Sequence, residues 1–129
     1  MAVAKQLSVM MENRRGALAE ICSELAKVAV NILALMVPEE GRVAPVRLVV
    51  NNLAAAEKVF AQLKLNYTVD EVMAASLSDR PGALGKLTRK LADHGIDVNY
   101  AYGSIERGNS RAVVILAVSD VAAAAKIVK

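Results

Sequence analysis

Apolar and polar positions alternate at the start of the chain, with Leu7, Val9 and Met11 set between Gln6, Ser8 and Glu12. A period of two predicts a half-buried strand. The spacing then changes, because Leu18, Ile21, Cys22, Leu25 and Val28 recur every three or four residues, as on one face of a helix. Next come "NILALMV" (Asn31–Val37), a polar glycine-containing loop (Pro38–Pro45) and the apolar run Val46–Val50. They predict two antiparallel strands joined by a hairpin, the second covered on both faces. A second helix is capped by Asn52 and carries Leu53, Ala56, Val59, Phe60 and Leu63 on one side. Tyr67–Asp70 then predicts a last strand.

The same succession follows again. Met73, Ala75 and Leu77 alternate; Leu84, Leu87 and Leu91 take helical spacing and stop at Gly95. "DVNYAYG" (Asp97–Gly103), a loop (Ser104–Ser110), the run Ala112–Val118 and a helix capped by Asp120 complete the second copy, which runs to Lys129. A shift of 66 positions lays Arg14 on Arg80, Gly16 on Gly82, Ala17 on Ala83, Leu18 on Leu84 and Leu25 on Leu91. A shift of 68 lays "LVVNNLAAAEK" on "LAVSDVAAAAK", so the second copy has two extra loop residues. Two copies are too few for a solenoid and indicate a duplicated domain, divided here as 1–70 and 71–129. The expected fold class is α+β, a ferredoxin-like βαββαβ plan repeated twice, with antiparallel sheets and helices on one face. The second copy lacks its last strand, leaving an edge for the Tyr67–Leu77 segment or another chain. That edge and the two-sided apolar strands point to a homodimer or higher homo-oligomer.

Composition narrows the function. Of 129 residues 55% are apolar and 22% charged, as in compact soluble proteins, and a net charge of +3 without basic blocks argues against nucleic acid as a partner. One cysteine, Cys22, excludes an internal disulfide, and its place on the apolar stripe reads as core. The first residues lack signal-peptide character and no apolar run nears the ~18 residues of a membrane span, so the expectation is a cytoplasmic protein with no membrane partner. His94, the single histidine, stands before Gly95 as a helix-end cation. Without Cys/His metal spacing, a phosphate loop or a nucleophile with its base, the chain is expected to be no enzyme and to hold no metal or cofactor. Tyr100 and Tyr102 lie on a second strand, where packing is the simpler role than base stacking.

The chemistry concentrates in "ENRRGAL" (Glu12–Leu18) and "SDRPGAL" (Ser78–Leu84), each between a strand and a helix. Proline suits a first helical position, Asn13 and Asp79 can cap, and glycine permits unusual backbone angles and close approach of a ligand. Free N–H groups at the helix start then form a carboxylate site. With the strand starts "VNI" (Val30–Ile32) and "IDV" (Ile96–Val98) about fifteen residues later, the chain resembles tandem ACT-domain proteins over almost its whole length.

The resemblance implies a non-catalytic regulatory protein that seats a small amino acid between paired domains, against the first loop and the second-strand edge. Where the serine-binding form of the motif has histidine, this chain has Met11 and Leu77; its asparagine falls at Asn13 and Asp79, its glycine at Gly16 and Gly82, and its later asparagine at Asn31 and Asp97. Arg14, Ala17, Leu18 and Ile32 in the first copy, and Pro81, Ala83, Leu84 and Val98 in the second, complete the candidate ligand-binding set. Apolar Met11 and Leu77 suit a larger or more apolar ligand side chain than serine's. Asp79 and Asp97 favour an ammonium and disfavour a carboxylate, so the two sites are expected to differ in affinity. A regulated enzyme on another chain is the implied reader of the signal. The competing expectation is an oligomerisation module with no ligand.

Overall fold

The computed structural model describes residues 2–78, 80–105 and 111–127. Asp79, the predicted loop beyond Ile105 and the end of the last helix lie outside the described residues. In chain order the elements are β1 (Ala2–Glu12), α1 (Ala17–Lys27), β2 (Ile32–Met36), β3 (Val43–Val50), α2 (Leu53–Gln62), β4 (Tyr67–Ser78), α3 (Ala83–Asp93), β5 (Val98–Ile105), β6 (Arg111–Val118) and α4 (Val121–Ile127). The chain forms two compact units, Lys5–Asp70 and the described residues of Glu71–Lys129 together with Met1–Ala4.

In the first unit β3 lies between β2 and β1, antiparallel to both, with Leu7 opposite Leu48 and Leu48 opposite Leu35. The Met10 N–H donates to the Asn66 carbonyl (2.8 Å), setting the start of β4 beside β1. The strand order β2-β3-β1-β4 is that of a ferredoxin-like sheet. Alternation decides the core, since Leu7, Val9 and Met11 all face it with Val46 and Leu48, under Ile21 and Leu25 of α1 and Ala56, Val59 and Phe60 of α2. The predicted stripe on α2 is therefore the buried one. Val28 leaves the α1 stripe, because it is the C-cap, where the chain departs from the helical path, and it is 47% exposed.

β3 begins earlier than predicted and takes in Pro45, opposite Met10. The last β2 partner is Arg47, opposite Met36, so at Pro45 the strand has a ladder on one side alone and tolerates a residue without an N–H. β4 is likewise one strand where the periodicity gave two segments, as no turn residue interrupts Asp70–Met73.

The second unit repeats the plan, with β6 between β4 and β5; Met73 faces Leu116 and Ala101 faces Leu116 from the other side. Its core joins Met73, Ala75, Leu116 and Val118 to Leu87 and Leu91 of α3 and Ala124 of α4. Ile115 and Ala117 are buried as well, so both faces of β6 are covered over Ile115–Val118, whereas Val113, nearer the strand's start on the face of Ile115, is 49% exposed and departs from the two-sided cover its apolar run predicts. Among the described residues no strand follows α4. β1 neighbours β4, and its start, within Met1–Ala4, belongs to this unit. Asn52 and Asp120 cap α2 and α4, accepting from the N–H of Ala55 (3.1 Å) and Ala123 (2.9 Å). No helix among the described residues is long and apolar enough to cross a membrane.

Three helices end in the same way. Ala29 (φ 58°), Lys64 (φ 56°) and Gly95 (φ 71°) adopt the left-handed conformation. The next residue's N–H reaches back to a carbonyl of the last turn: Val30 to Leu25, Leu65 to Phe60 and Ile96 to Leu91, each 3.0 Å. This is the Schellman arrangement with its apolar residue turned into the core. His94 adds its ring N–H at the end of α3, donating from Nδ1 to the Lys90 carbonyl (2.8 Å). An L-residue in this conformation is strained by ~1–2 kcal/mol, against which glycine gives back ~0.4–1 kcal/mol in unfolded-state entropy. Ala29→Gly is therefore expected to stabilise the chain by about 0.5–1 kcal/mol, read from the urea unfolding midpoint.

Candidate functional site

The two repeated turns share one backbone geometry. The Ala17 N–H donates to the Arg14 carbonyl (3.2 Å) and the Ala83 N–H to the Arg80 carbonyl (3.3 Å), closing four-residue turns. Their third residues, Gly16 (φ 88°, ψ −10°) and Gly82 (φ 93°, ψ −14°), are left-handed, whereas Arg15 and Pro81 at the second position are not. That combination is a type II turn, in which proline at the second place and glycine at the third are the favoured residues. Pro81 consequently stands two residues before the first helical position, not at it, since a left-handed Gly82 cannot belong to the helix. A Cβ at Gly16 or Gly82 would meet nothing within 4 Å. Conformation alone selects glycine there, and the space over each turn is open.

Among the described residues neither α1 nor α3 has a side-chain cap. Asn13, expected to cap α1, instead points its amide at the β2–β3 loop, donating from Nδ2 to the Gly41 carbonyl (3.1 Å), while its own N–H donates to Arg42 (2.7 Å). The first intrahelical bonds run from Glu20 to Gly16 and from Lys86 to Gly82, both 2.9 Å. The N–H groups of Leu18 and Ala19, and of Leu84 and Gly85, precede those bonds and have no acceptor within their helices.

Side chains separate the two turns. In the first unit Arg14 donates from Nε to Glu12 (3.2 Å) and from Nη2 to Glu20 (3.1 Å). The Glu20 bond in particular, with Glu12 adding to it, raises the guanidinium above its ordinary pKa. A cavity of about 210 Å³ lies here, lined by Met11, Glu12, Arg14, Ala17 and Glu20 together with the Leu63–Leu65 turn. Met11 is buried and Leu18 packs against the core.

In the second unit a cavity of about 430 Å³ opens between the start of α3 and the sheet. Its walls are Leu77, Ala83, Leu84, Ala101, Gly103, Ala112 and Val114, with Ser78, Arg80 and Tyr102 at the polar part of the lining. Leu84, predicted for the buried stripe, is 48% exposed. A Cβ on Gly103 would stand 2.8 Å from the Val113 carbonyl oxygen and 3.1 Å from Val114 Cγ2, so glycine lets β5 lie close against β6 at the floor. A second depression of about 900 Å³ continues over Pro81, Gly82, Gly85 and Lys86.

With these two strand-turn-helix units described, the family follows. Residues 1–128 match the model of the ACT domain pair. The chain belongs to that family. Among solved structures, the ACT pair is similar to a protein of Bacteroides thetaiotaomicron at 30% identity and a TM-score of 0.91, covering 97% of this chain and 85% of that one. It shares its fold with the ligand-free regulatory subunit of aspartate kinase from Thermus thermophilus, at 17% identity and a TM-score of 0.69, over 99% of this chain and 95% of that one. It shares it also with aspartate kinase from Clostridium acetobutylicum, at 15% identity and a TM-score of 0.59, over 98% of this chain and 33% of that one. No curated protein matches the chain by sequence.

Within each unit of the ACT pair the candidate residues fall into two groups at opposite ends of the sheet. Ser78 pairs with Arg111 at one end of β6 and Val98 with Val118 at the other, because α3 runs back along the sheet before β5 begins. Asp97 is thus remote from Gly82 within its unit, its N–H held by Ser119 Oγ (2.9 Å). Asn31 and Ile32 are equally far from Gly16; the Asn31 N–H is held by Asn51 Oδ1 (2.8 Å). The second-unit cavity does bring together Leu77, Ala83 and Leu84, and Pro81 and Gly82 line the depression beside them. Ala101, Gly103, Ala112 and Arg80 were not among the candidates. A size comparison of the copies holds the signal, since Leu35 and Val37 stand in the first where Ala101 and Gly103 stand in the second.

Because open space surrounds the Gly82 Cβ position, Gly82→Ala is expected to cost only the conformational ~1 kcal/mol, and Gly82→Asn less, since asparagine tolerates the left-handed region. Equilibrium unfolding of both variants checks this. A loss of several kcal/mol for alanine alone would contradict the reading of the turn.

Proposed function

We propose that this ACT domain pair is a non-catalytic sensor of a small amino acid, whose bound or free state is read by an enzyme on another chain. The observation that carries the reading is the apolar cavity at the start of α3, about 430 Å³, within the ~300–1,000 Å³ of small-molecule sites and next to backbone donors unused within the helix. Leu77 and its apolar neighbours accommodate a hydrocarbon side chain, while the turn receives the carboxylate. The regulatory part is supported by the family itself and by a fold shared with a subunit that is named as regulatory.

The assembly reading draws on a different observation. Leu33 is 61% exposed on β2, and Leu35 and Val37 are exposed along the same segment, an apolar strip on the edge of the first unit. Association through this strip is compatible with sensing, and ligand response separates a sensor from a module that only assembles. Thermal unfolding with each of the twenty amino acids at millimolar concentration is the test. A sensor gains about 2.7 kcal/mol when ligand stands at ~100 times its Kd, and gains it with a few amino acids only. An unchanged melting temperature across the whole panel would leave assembly as the function.

A further inference from the structure

We propose that the pair is loaded asymmetrically: the second unit alone takes ligand, one small carboxylate with an apolar body per chain, held by Arg80 at the cavity mouth, while the first unit's counterpart stays empty. The proposal rests on the amino-acid reading above for the nature of the ligand, and on three differences between the units for its place.

The first difference is charge. Arg14 and Arg80 are repeat equivalents, yet Arg14 is engaged by two carboxylates, Glu12 and Glu20, at 3.2 and 3.1 Å. The positions equivalent to those glutamates hold Ser78 and Lys86. Glu12–Glu20 carries two acids against two arginines, whereas Ser78–Lys86 carries Arg80 and Lys86 against the single acid Asp79. Such exposed ion pairs add little to stability. Their effect on a ligand is larger, since an incoming carboxylate at Arg14 must displace like charges already seated there. At Arg80 it meets an added cation, and no ion pair engages Arg80 or Lys86 among the described residues.

The second difference is space. The second-unit cavity has about twice the volume of the first, 430 against 210 Å³. Ala101 and Gly103 leave room on β5, and Leu84 stands half out of the core at the rim where Leu18 packs inward. The third is the character of the walls. Seven of the ten residues lining the larger cavity are glycine or carry hydrocarbon side chains alone, while the smaller one has Glu12, Arg14, Glu20 and Lys64 on its walls. A carboxylate with a hydrocarbon body of leucine or phenylalanine size matches the second set and not the first. Asp97, expected from the sequence to weaken this site for carboxylates, lies at the far end of the unit and does not oppose it.

Isothermal titration of the full chain decides the matter, with leucine, isoleucine, valine, methionine and phenylalanine, their deaminated carboxylates such as isocaproate, and their decarboxylated amines such as isoamylamine. The expected result is one equivalent per chain for at least one amino acid or carboxylate and none for the amines. Affinity should fall about tenfold or more in Arg80→Gln and in Lys86→Glu, and stay within about twofold in Arg14→Gln. Ala101→Leu, at an exposed position where the first unit has leucine, should abolish binding while the chain melts as before. Two equivalents, equal losses from Arg14→Gln and Arg80→Gln, or undiminished binding to Ala101→Leu would each overturn the proposal and leave the amino-acid reading standing. Carboxylates that bind once, dependent on Arg80, when no amino acid does would uphold it and remove that reading. Silence from every compound ends both.

Discussion

A left-handed glycine at the third place of a tight turn is the constraint from which the rest of each unit follows. It reverses the chain between the end of a strand and the first turn of a helix without spending a side chain, and so sets where α1 and α3 lie over their sheets. From that start Ile21 and Leu25, or Leu87 and Leu91, come down onto the strand residues that alternation has already turned inward. The same geometry leaves the helix start uncapped and open to solvent, because the glycine offers no side chain to satisfy or shield it. Packing and access are thus two results of one pair of dihedral angles.

The periodicities made the order of strands and helices, the inward faces and the two asparagine or aspartate caps legible. Their physical basis is local, and burial on one face leaves the register little choice. What escaped was of two kinds. The helix ends at Ala29 and Lys64 carry no glycine to announce a left-handed residue, and the core contacts of Val30 and Leu65 impose the conformation instead. The partner of Asn13 was invisible for a related reason: a short polar side chain beside a helix start suits capping, and a carbonyl brought in from Gly41 across the hairpin competes for it. The cavity depends on residues from β4, α3, β5 and β6 at once, so no single window of sequence contains it.

Duplication and divergence are both visible in the pair. The backbone of the turn is retained to within a few degrees at Gly16 and Gly82, whereas the side chains around it have changed in sign at Glu20 and Lys86 and in size at Val37 and Gly103. A duplicated scaffold permits this, since the core of each half is made by positions other than those that changed. Function in such a molecule is written in the departures from internal symmetry.

β1 contributes to both units, its first residues to the second and its remainder to the first, even though about sixty positions of chain lie between Ala4 and its neighbour β4. On a ribosome those leading residues emerge long before the sheet they complete, and they must wait for it. Pairings of such wide sequence separation slow folding. They also make a cut after Asp70 an unequal one: the released N-terminal fragment would keep a strand end that the C-terminal fragment needs, so fission of the gene at the repeat boundary would not yield two self-sufficient proteins.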